Sequence, residues 1–200
     1  RKWTRMSKKA VLQDNWTSGT DLNSLCSFDY EAIEKPTKAL MHRAARFLYF
    51  NKGRGKIKID GTEYEIIPDT LCVITPWKVT DIIDVRDTLH LNLIIYDYQY
   101  INTILKVSPG LEKESENLLE FLAVHPVVYL KGEQREEVRS LMAALRKELG
   151  VESSMMQKSE KPLSFLYALT KMVELMVLYR RFFQSSNVTS LASMSGPQNA

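Results

Sequence analysis

The sequence predicts an α+β fold in which a small antiparallel β-barrel or sandwich is followed by a layer of helices. Between residues 43 and 100, apolar and polar residues alternate with a period of two, as they do in half-buried strands. Turn sequences interrupt this alternation, and one of them, Asp60-Gly61, favours a tight hairpin because both residues tolerate positive φ. From residue 111 onward the apolar residues recur with the period of a helix.

Composition limits the classes of function. The 200 residues suit one or two small domains, and 44% of them are hydrophobic. A net charge of +3 is too small to indicate nucleic-acid binding by itself. The two cysteines, Cys26 and Cys72, indicate neither a disulfide framework nor a metal site, so we expect a reducing, cytoplasmic location. We expect no membrane partner, because charged residues interrupt the most apolar segment, residues 162–179.

The chain divides into four segments by composition. Residues 1–27 are polar without a clear period and predict an N-terminal arm. Residues 28–110 contain the alternating strands and predict the barrel. Residues 111–184 predict a helical region, and residues 185–200 are small and polar, as in a linker or tail.

Within the helical region, three stretches carry helical periodicity. They are residues 111–123, residues 133–149 and a last helix from residue 162 to about residue 184. A short strand, residues 127–130, follows the first of them. The predicted layer contains the last two helices packed antiparallel to each other.

The last helix carries two neighbouring apolar stripes, whereas a surface helix usually buries one. One stripe is expected to face the preceding helix and the barrel. A second copy of the chain is the simplest cover for the other, so we predict a homodimer. The alternative is a helix that lies at the centre of a monomeric layer. The residues predicted to form the dimer contact are Phe165, Leu169, Met172, Met176 and Tyr179.

The turn residues of the barrel have a regular spacing. It is set by Gly53, Gly55, Gly61, Pro68-Asp69 and Pro76, which separate alternating strands. With the helix, short strand and two helices that follow, this pattern resembles the N-terminal sensing and dimerisation domain of AraC-family transcription regulators, whose barrel is a cupin. The resemblance covers about residues 28–184 and implies a cupin-like barrel.

Metal-binding cupins carry two histidines, a glutamate and a later histidine at fixed spacings. Matched residue by residue, these positions are Leu40, His42, Arg46 and Thr80 in this sequence. A metal site needs several converging donors, and one histidine beside an arginine does not supply them. The resemblance therefore implies no metal, no cofactor and no catalytic residues, and it favours a sensor over an enzyme.

A barrel without a metal site still offers a mouth and a lumen to a small ligand. Arg46 is the first candidate, because a guanidinium binds a carboxylate or sugar hydroxyls through two hydrogen bonds; a salt bridge at the barrel mouth is the alternative. Trp77 could stack on a flat ligand, or pack in the core or at a dimer contact. His90 and Asn92 share one face of a strand and point into a pocket or into solvent. Tyr49 lines the lumen or belongs to the core.

The function that the resemblance implies is effector sensing coupled to dimerisation. A sugar, carboxylate or aromatic effector in the barrel would shift the protein between two arrangements and change how DNA-binding halves are presented. In this family DNA is bound by a C-terminal pair of helix-turn-helix units, which we expect beyond the tail. Two alternatives stay open: an AraC-type module regulated by a partner protein, and a metal-independent cupin enzyme such as an isomerase or lyase.

Overall fold

The computed structural model describes residues 11–13, 25–149 and 162–183. The strands are β1 (Val11–Gln13), β2 (Cys26–Ile33), β3 (Leu40–His42), β4 (Ala45–Ile59), β5 (Thr62–Ile66), β6 (Thr70–Ile74), β7 (Val79–Tyr96) and β8 (Val127–Tyr129). The helices are α1 (Tyr98–Val107), α2 (Glu112–Val124), α3 (Glu133–Glu148) and α4 (Ser164–Phe182). The α+β class predicted from the sequence is confirmed.

Two long strands, β4 and β7, form the centre of the sheet and pair antiparallel with each other. β7 also pairs with β3 near its beginning and with β2 towards its end. β4 pairs on its other side with β5 and β6, and β6 in turn pairs with β8. The path β1-β3-β7-β4-β6-β8 does not close on itself. The expected barrel is therefore an open, cupin-like antiparallel sheet, with one parallel pair between β1 and β3.

The hairpin between β4 and β5 has the turn that the sequence predicts. Ile59 pairs with Thr62, so only Asp60 and Gly61 lie between the strands. Their φ angles are 45° and 86°, which is the left-handed conformation that a tight hairpin of this kind requires. This turn sets the register between β4 and β5.

Both faces of the sheet carry apolar clusters, and strand alternation assigns residues to each. Phe47 and Tyr49 on β4 and Tyr96 on β7 belong to a core shared with the helices. The rings of Phe47 and Tyr96 stack with centroids 5.4 Å apart, and Tyr179 of α4 meets Phe47 edge-on at 6.1 Å. On the opposite face, a second cluster includes Phe50. One face of the sheet is therefore apolar because it packs against the helices, and the other because it carries an apolar cluster of the sheet's own residues.

The three predicted helices and the short strand are present, and the structure adds a helix that the prediction lacked. Helix α1 begins after Asp97, whose Oδ1 accepts a hydrogen bond from the backbone N–H of Tyr100 at 2.9 Å. The alternation of Tyr96, Tyr98 and Tyr100 is typical of a strand and conceals this cap. Ile101 is the one residue of α1 that is buried.

The N-terminal boundary differs from the expected one. Leu25 and Cys26 are already buried in the core between sheet and helices, so the sheet begins before Phe28. Most of the predicted arm and the whole tail, residues 185–200, lie outside the described residues. No described helix combines the length and the apolar character needed to cross a membrane.

Candidate functional site

A cavity of about 460 Å³ lies on the face of the sheet that carries no helix. Its walls come from β2, β3, β4 and β7 and from the segment before β3. This volume lies within the range of small-molecule sites, about 300–1,000 Å³. The cavity is therefore large enough for a small-molecule ligand.

The register of three strands explains which side chains meet in the cavity. β7 lies between β2 and β4, so each inward-facing residue of β7 has one neighbour on either side. Residues opposite each other on adjacent strands project to the same face. The rows that face the cavity are Arg46–Ile95–Ser27, Leu48–Leu93–Asp29 and Phe50–Leu91–Glu31. An apolar strip along β7 thus separates a cation on β4 from two carboxylates on β2.

Arg46 is the cation of this cavity, as the sequence predicts for its position. Its side chain is partly buried, and its Nε makes no hydrogen bond to any residue of the described segments. Burial lowers the pKa of Arg46 to about 10, and the nearby carboxylate of Glu31 offsets part of this shift. The guanidinium has therefore lost more hydration than the protein replaces. It is available to an anionic or polar group in the cavity.

The four positions at which metal-binding cupins carry ligands all line the cavity: Leu40, His42, Arg46 and Thr80. These side chains do not fit a metal ion, since a guanidinium and a leucine donate no electron pair to one. Within residues 11–13, 25–149 and 162–183, no three His, Cys, Asp or Glu side chains converge in a metal-binding group. We therefore derive no chemistry through a metal at this site.

Tyr49, His90 and Asn92 do not line the cavity, contrary to the option that they face the lumen. Strand alternation turns them to the other face, because Leu48 and Leu91 occupy the inward positions. His90 is partnered there: its Nδ1 lies 2.9 Å from the hydroxyl of Tyr30. His90 and Asn92 thus lie outside the cavity, while Leu91 and Leu93 of the same strand line it.

Tyr49 belongs to a polar cluster under helix α3. Its hydroxyl donates a hydrogen bond to the carboxylate of Asp69, which is only 3% exposed. Nη2 of Arg139 donates to both oxygens of Asp69 at 3.0 Å, and Nε of Arg139 donates to the Tyr49 hydroxyl at 3.2 Å. This cluster joins the sheet to α3 and was not predicted.

Trp77 also lies outside the cavity lining. It occupies the turn before β7 with a φ of 69°, and 56% of its surface is exposed. Its backbone N–H donates to the carbonyl of His42 at 2.8 Å, and its ring lies 5.9 Å from the guanidinium carbon of Arg43. Trp77 therefore pairs with the end of β3 and does not present its ring to a ligand in the cavity.

The cavity contains carboxylates that the sequence interpretation missed. Asp29 and Glu31 on β2 and Asp81 on β7 line it. The alternation of residues 28–33 did predict a strand, and polar positions of a half-buried strand normally face solvent. Asp29 and Glu31 are exposed to solvent, and they stand on the cavity side of β2 because Phe28, on the other side, packs among the helices.

The predicted dimer contact is corrected for three of its five residues. Met172, Met176 and Tyr179 are fully buried in this chain's own core, and the Tyr179 hydroxyl donates to the carbonyl of His125 at 2.6 Å. Phe165 and Leu169 are partly buried against the same core. This part of α4 is therefore covered by the chain itself and needs no second copy.

Other residues near the start of α4 are exposed. Leu163, Leu166 and Tyr167 have 75%, 52% and 40% of their surface accessible. They line a shallow groove together with Glu148 at the end of α3. An apolar surface of this kind is where a second copy would find contact.

Comparison with known proteins gives similarity of fold only. No family model matches this chain, and no curated protein matches it. Among solved structures, ToxT from Vibrio cholerae is 7% identical with a TM-score of 0.46, covering 79% of this chain and 57% of that chain. A cupin 2 conserved barrel domain protein from Rhodopseudomonas palustris is 14% identical with a TM-score of 0.35, covering 48% and 72%. The EutQ protein from Clostridium difficile is 16% identical with a TM-score of 0.33, covering 38% and 59%.

At these identities and TM-scores the similarities carry no argument about activity. The sheet and its cavity define the fold class of this protein, which is a cupin-like α+β fold.

Proposed function

We propose that this chain is the effector-sensing and dimerisation domain of an AraC-type transcription regulator, acting in the cytoplasm. The family comes from the sequence resemblance. The observation that carries the sensing role is the partly buried guanidinium of Arg46, whose Nε lacks a hydrogen bond within the described part of the chain and which lines a cavity of about 460 Å³. A desolvated cation at the wall of a cavity is costly unless a ligand completes its hydrogen bonds.

Strand β4 offers a direct connection between the cavity and the helices. Leu48 faces the cavity, and the next residue, Tyr49, faces the helices and binds Asp69 and Arg139. A ligand that shifts β4 by a fraction of an ångström changes the geometry at both faces. In the proposal, this contact transmits occupancy of the cavity to α3 and α4.

Dimerisation is assigned to the exposed surface formed by Leu163, Leu166 and Tyr167, together with the partly buried Phe165 and Leu169. The proposal predicts that Leu166→Glu yields monomers in sedimentation velocity while the wild type sediments as a dimer. Val124→Glu is the control, because Val124 is an apolar residue on α2 that is at least as exposed as Leu166. A wild type that is monomeric at micromolar concentration would refute the dimer.

The sensing role is tested by thermal denaturation of the purified chain with a panel of sugars, carboxylates and aromatic compounds. A compound that raises the midpoint in the wild type should lose this effect in Arg46→Ala, while the variant still sediments as a dimer. Arg54→Ala, on the same strand but exposed, should keep the effect. DNA binding through helix-turn-helix units outside these 200 residues completes the proposal.

A metal-independent enzyme is the second candidate, and one observation favours it. Asp29, Glu31 and Asp81 line the cavity and could act as general acids or bases. Such an enzyme would convert a compound that binds. NMR spectra of each binding compound, followed over hours with the protein, separate the candidates: conversion that is abolished by Glu31→Gln supports the enzyme, and an unchanged compound supports the sensor.

A further inference from the structure

We infer that the cavity takes a small zwitterion, with an anionic group at one end, an ammonium group at the other and an apolar segment between them. This inference rests on the proposed function because it concerns the same cavity. It goes further by naming the class of the ligand from the positions of the charged side chains.

The charges of the cavity wall select against ligands of a single sign. Arg46 provides a fixed positive charge, and Asp29, Glu31 and Asp81 provide carboxylates. A purely anionic ligand would bind Arg46 but would lie near three carboxylates. A purely cationic ligand would leave Nε of Arg46 without a hydrogen bond. Arg46 and Asp81 are partly buried, so a mismatch at either costs more than it would in water, whereas Asp29 and Glu31 are exposed and contribute mainly by attracting a cationic group. A ligand with both charges avoids such a mismatch.

The strand order places the two kinds of charge apart. Arg46 lies on β4, Asp29 and Glu31 lie on β2, and β7 runs between these strands. Neighbouring strands are separated by about 4.8 Å, so the backbones of β4 and β2 are about 10 Å apart across β7. The space between the charges lies over Leu91 and Leu93. A ligand that bridges Arg46 and the carboxylates of β2 would lie along this apolar surface.

The recognition chemistry follows from these positions. The planar guanidinium of Arg46 would hold a carboxylate through two parallel hydrogen bonds. An ammonium group at the other end would donate to the carboxylates of Asp29 and Glu31, and methylene groups between them would cover the leucines. Neutral sugars have hydroxyls for the polar groups but no apolar segment for the strip along β7.

The test uses the whole chain and a matched series of probes in thermal denaturation and calorimetric titration. The zwitterions are ω-amino acids from 4-aminobutanoate to 8-aminooctanoate. The controls are hexanoate, hexylamine and glucose, which carry one charge or none. We expect at least one ω-amino acid to raise the midpoint at millimolar concentration, and to bind at least about tenfold more tightly than hexanoate or hexylamine.

Two variants locate the binding. Arg46→Gln and Glu31→Gln should each weaken binding of the ω-amino acid by about tenfold or more, since each removes one charged partner. Arg54→Gln on β4 and Glu63→Gln on β5 are exposed and should leave the affinity unchanged. The midpoint of each variant without probe shows that it folds.

Several results would overturn the inference. One is a series in which no ω-amino acid shifts the midpoint, and another is binding that survives both Arg46→Gln and Glu31→Gln. If glucose binds and Arg46→Gln abolishes that binding, the zwitterion is wrong but the sensing role of the cavity stands. If the ω-amino acid binds as expected while the wild type is monomeric, the proposal of a dimeric regulator is wrong, but the inference that the cavity binds a zwitterion is supported.

Discussion

Asp69 and Arg139 are seventy positions apart in the chain, and they meet at the boundary between sheet and helices. One nitrogen of the guanidinium, Nη2, donates to both carboxylate oxygens at 3.0 Å. Arg135, one turn earlier on α3, lies 3.6 Å from the same carboxylate. Asp69 is almost completely buried, while the side chain of Arg139 is 46% exposed. The half-exposed guanidinium of Arg139 therefore supplies the hydrogen bonds and the positive charge that the buried carboxylate of Asp69 needs.

Removal of Arg139 should destabilise the protein strongly. In Arg139→Ala the buried carboxylate keeps Tyr49 and the more distant Arg135, but loses its closest cation. Breaking a buried pair costs about 3–5 kcal/mol; because Arg139 is half exposed, we expect about 2–3 kcal/mol in urea unfolding at pH 7. Glu136→Gln, which removes only the exposed partner of Arg139, should stay within about 0.5 kcal/mol of the wild type. Equal stabilities of the two variants would show that Asp69 does not depend on Arg139.

Tyr49 should contribute to the loss of stability at alkaline pH. Burial and the hydrogen bond to Asp69 raise the pKa of Tyr49 to about 12. Between about pH 10 and pH 12 the unfolded chain therefore releases the phenol proton while the folded chain retains it. The unfolded state then binds fewer protons, so the free energy of unfolding falls as pH rises, by up to about 1.4 kcal/mol per pH unit for this one group.

In Tyr49→Phe this contribution is absent. We expect the unfolding free energy to decline less steeply between pH 10 and pH 12 than in the wild type. At pH 7 the variant should be less stable by about 1–2 kcal/mol, because Asp69 loses a hydrogen bond. Urea unfolding at pH 7, 10, 11 and 12 measures both effects. A parallel decline of the two proteins above pH 10 would contradict the assignment.

Arg46→Met should make the free protein more stable. The lowered pKa of Arg46 shows that the folded state disfavours its charged form, a penalty that is present at pH 7 and is relieved only as pH rises from about 10 towards 12.5. A methionine fills similar space without a charge, so we expect a gain of about 1 kcal/mol at pH 7. Arg54→Met, at an exposed position of β4, should change stability by less than about 0.5 kcal/mol. A loss of stability in Arg46→Met would mean that the guanidinium already has its partners.

Gly53 and Gly61 form a matched pair for a backbone test. Both have positive φ, 96° and 86°. A Cβ at Gly53 would lie 2.3 Å from the carbonyl oxygen of Thr88, whereas at Gly61 nothing lies within 4 Å. Gly61→Ala should cost about 1 kcal/mol through backbone strain alone. Gly53→Ala should cost at least about 2 kcal/mol more, since the neighbouring strand must move. Urea unfolding of both variants gives the difference, and equal losses would contradict the close approach.

Local patterns in the sequence predicted most of the elements, and the exceptions have specific causes. The alternation of residues 43–100 and the turn at Asp60-Gly61 yielded the central strands, and apolar periodicity yielded α2, α3 and α4. Helix α1 was missed because three tyrosines spaced by two mimic a strand. The length of α4 was predicted, but its exposure was not. Two apolar stripes show that a helix is covered on two sides, and do not show whether this chain or a second copy covers it.

The sequence predicts the location of the site better than it predicts which residues line it. Counting along the family pattern identified Arg46 and the other three positions, and all four line the cavity. Alternation alone separates Leu91 from Asn92 without saying which of them faces a ligand, because one face of this sheet is covered by helices and the other forms the cavity. The same ambiguity concealed Asp29 and Glu31, which are exposed to solvent and also line the cavity.

The position of strand β8 has a consequence for how the molecule unfolds. β8 lies between α2 and α3 in the chain, yet it pairs with β6 as the edge strand of the sheet, and the hydroxyl of Tyr129 donates to the carbonyl of Glu65 at 2.8 Å. A chain cut after residue 110 would lose this strand and leave one side of β6 without its hydrogen bonds and apolar cover. We therefore expect sheet and helices to unfold in one cooperative transition, and truncation at the boundary between them to yield an aggregation-prone fragment in place of a smaller domain.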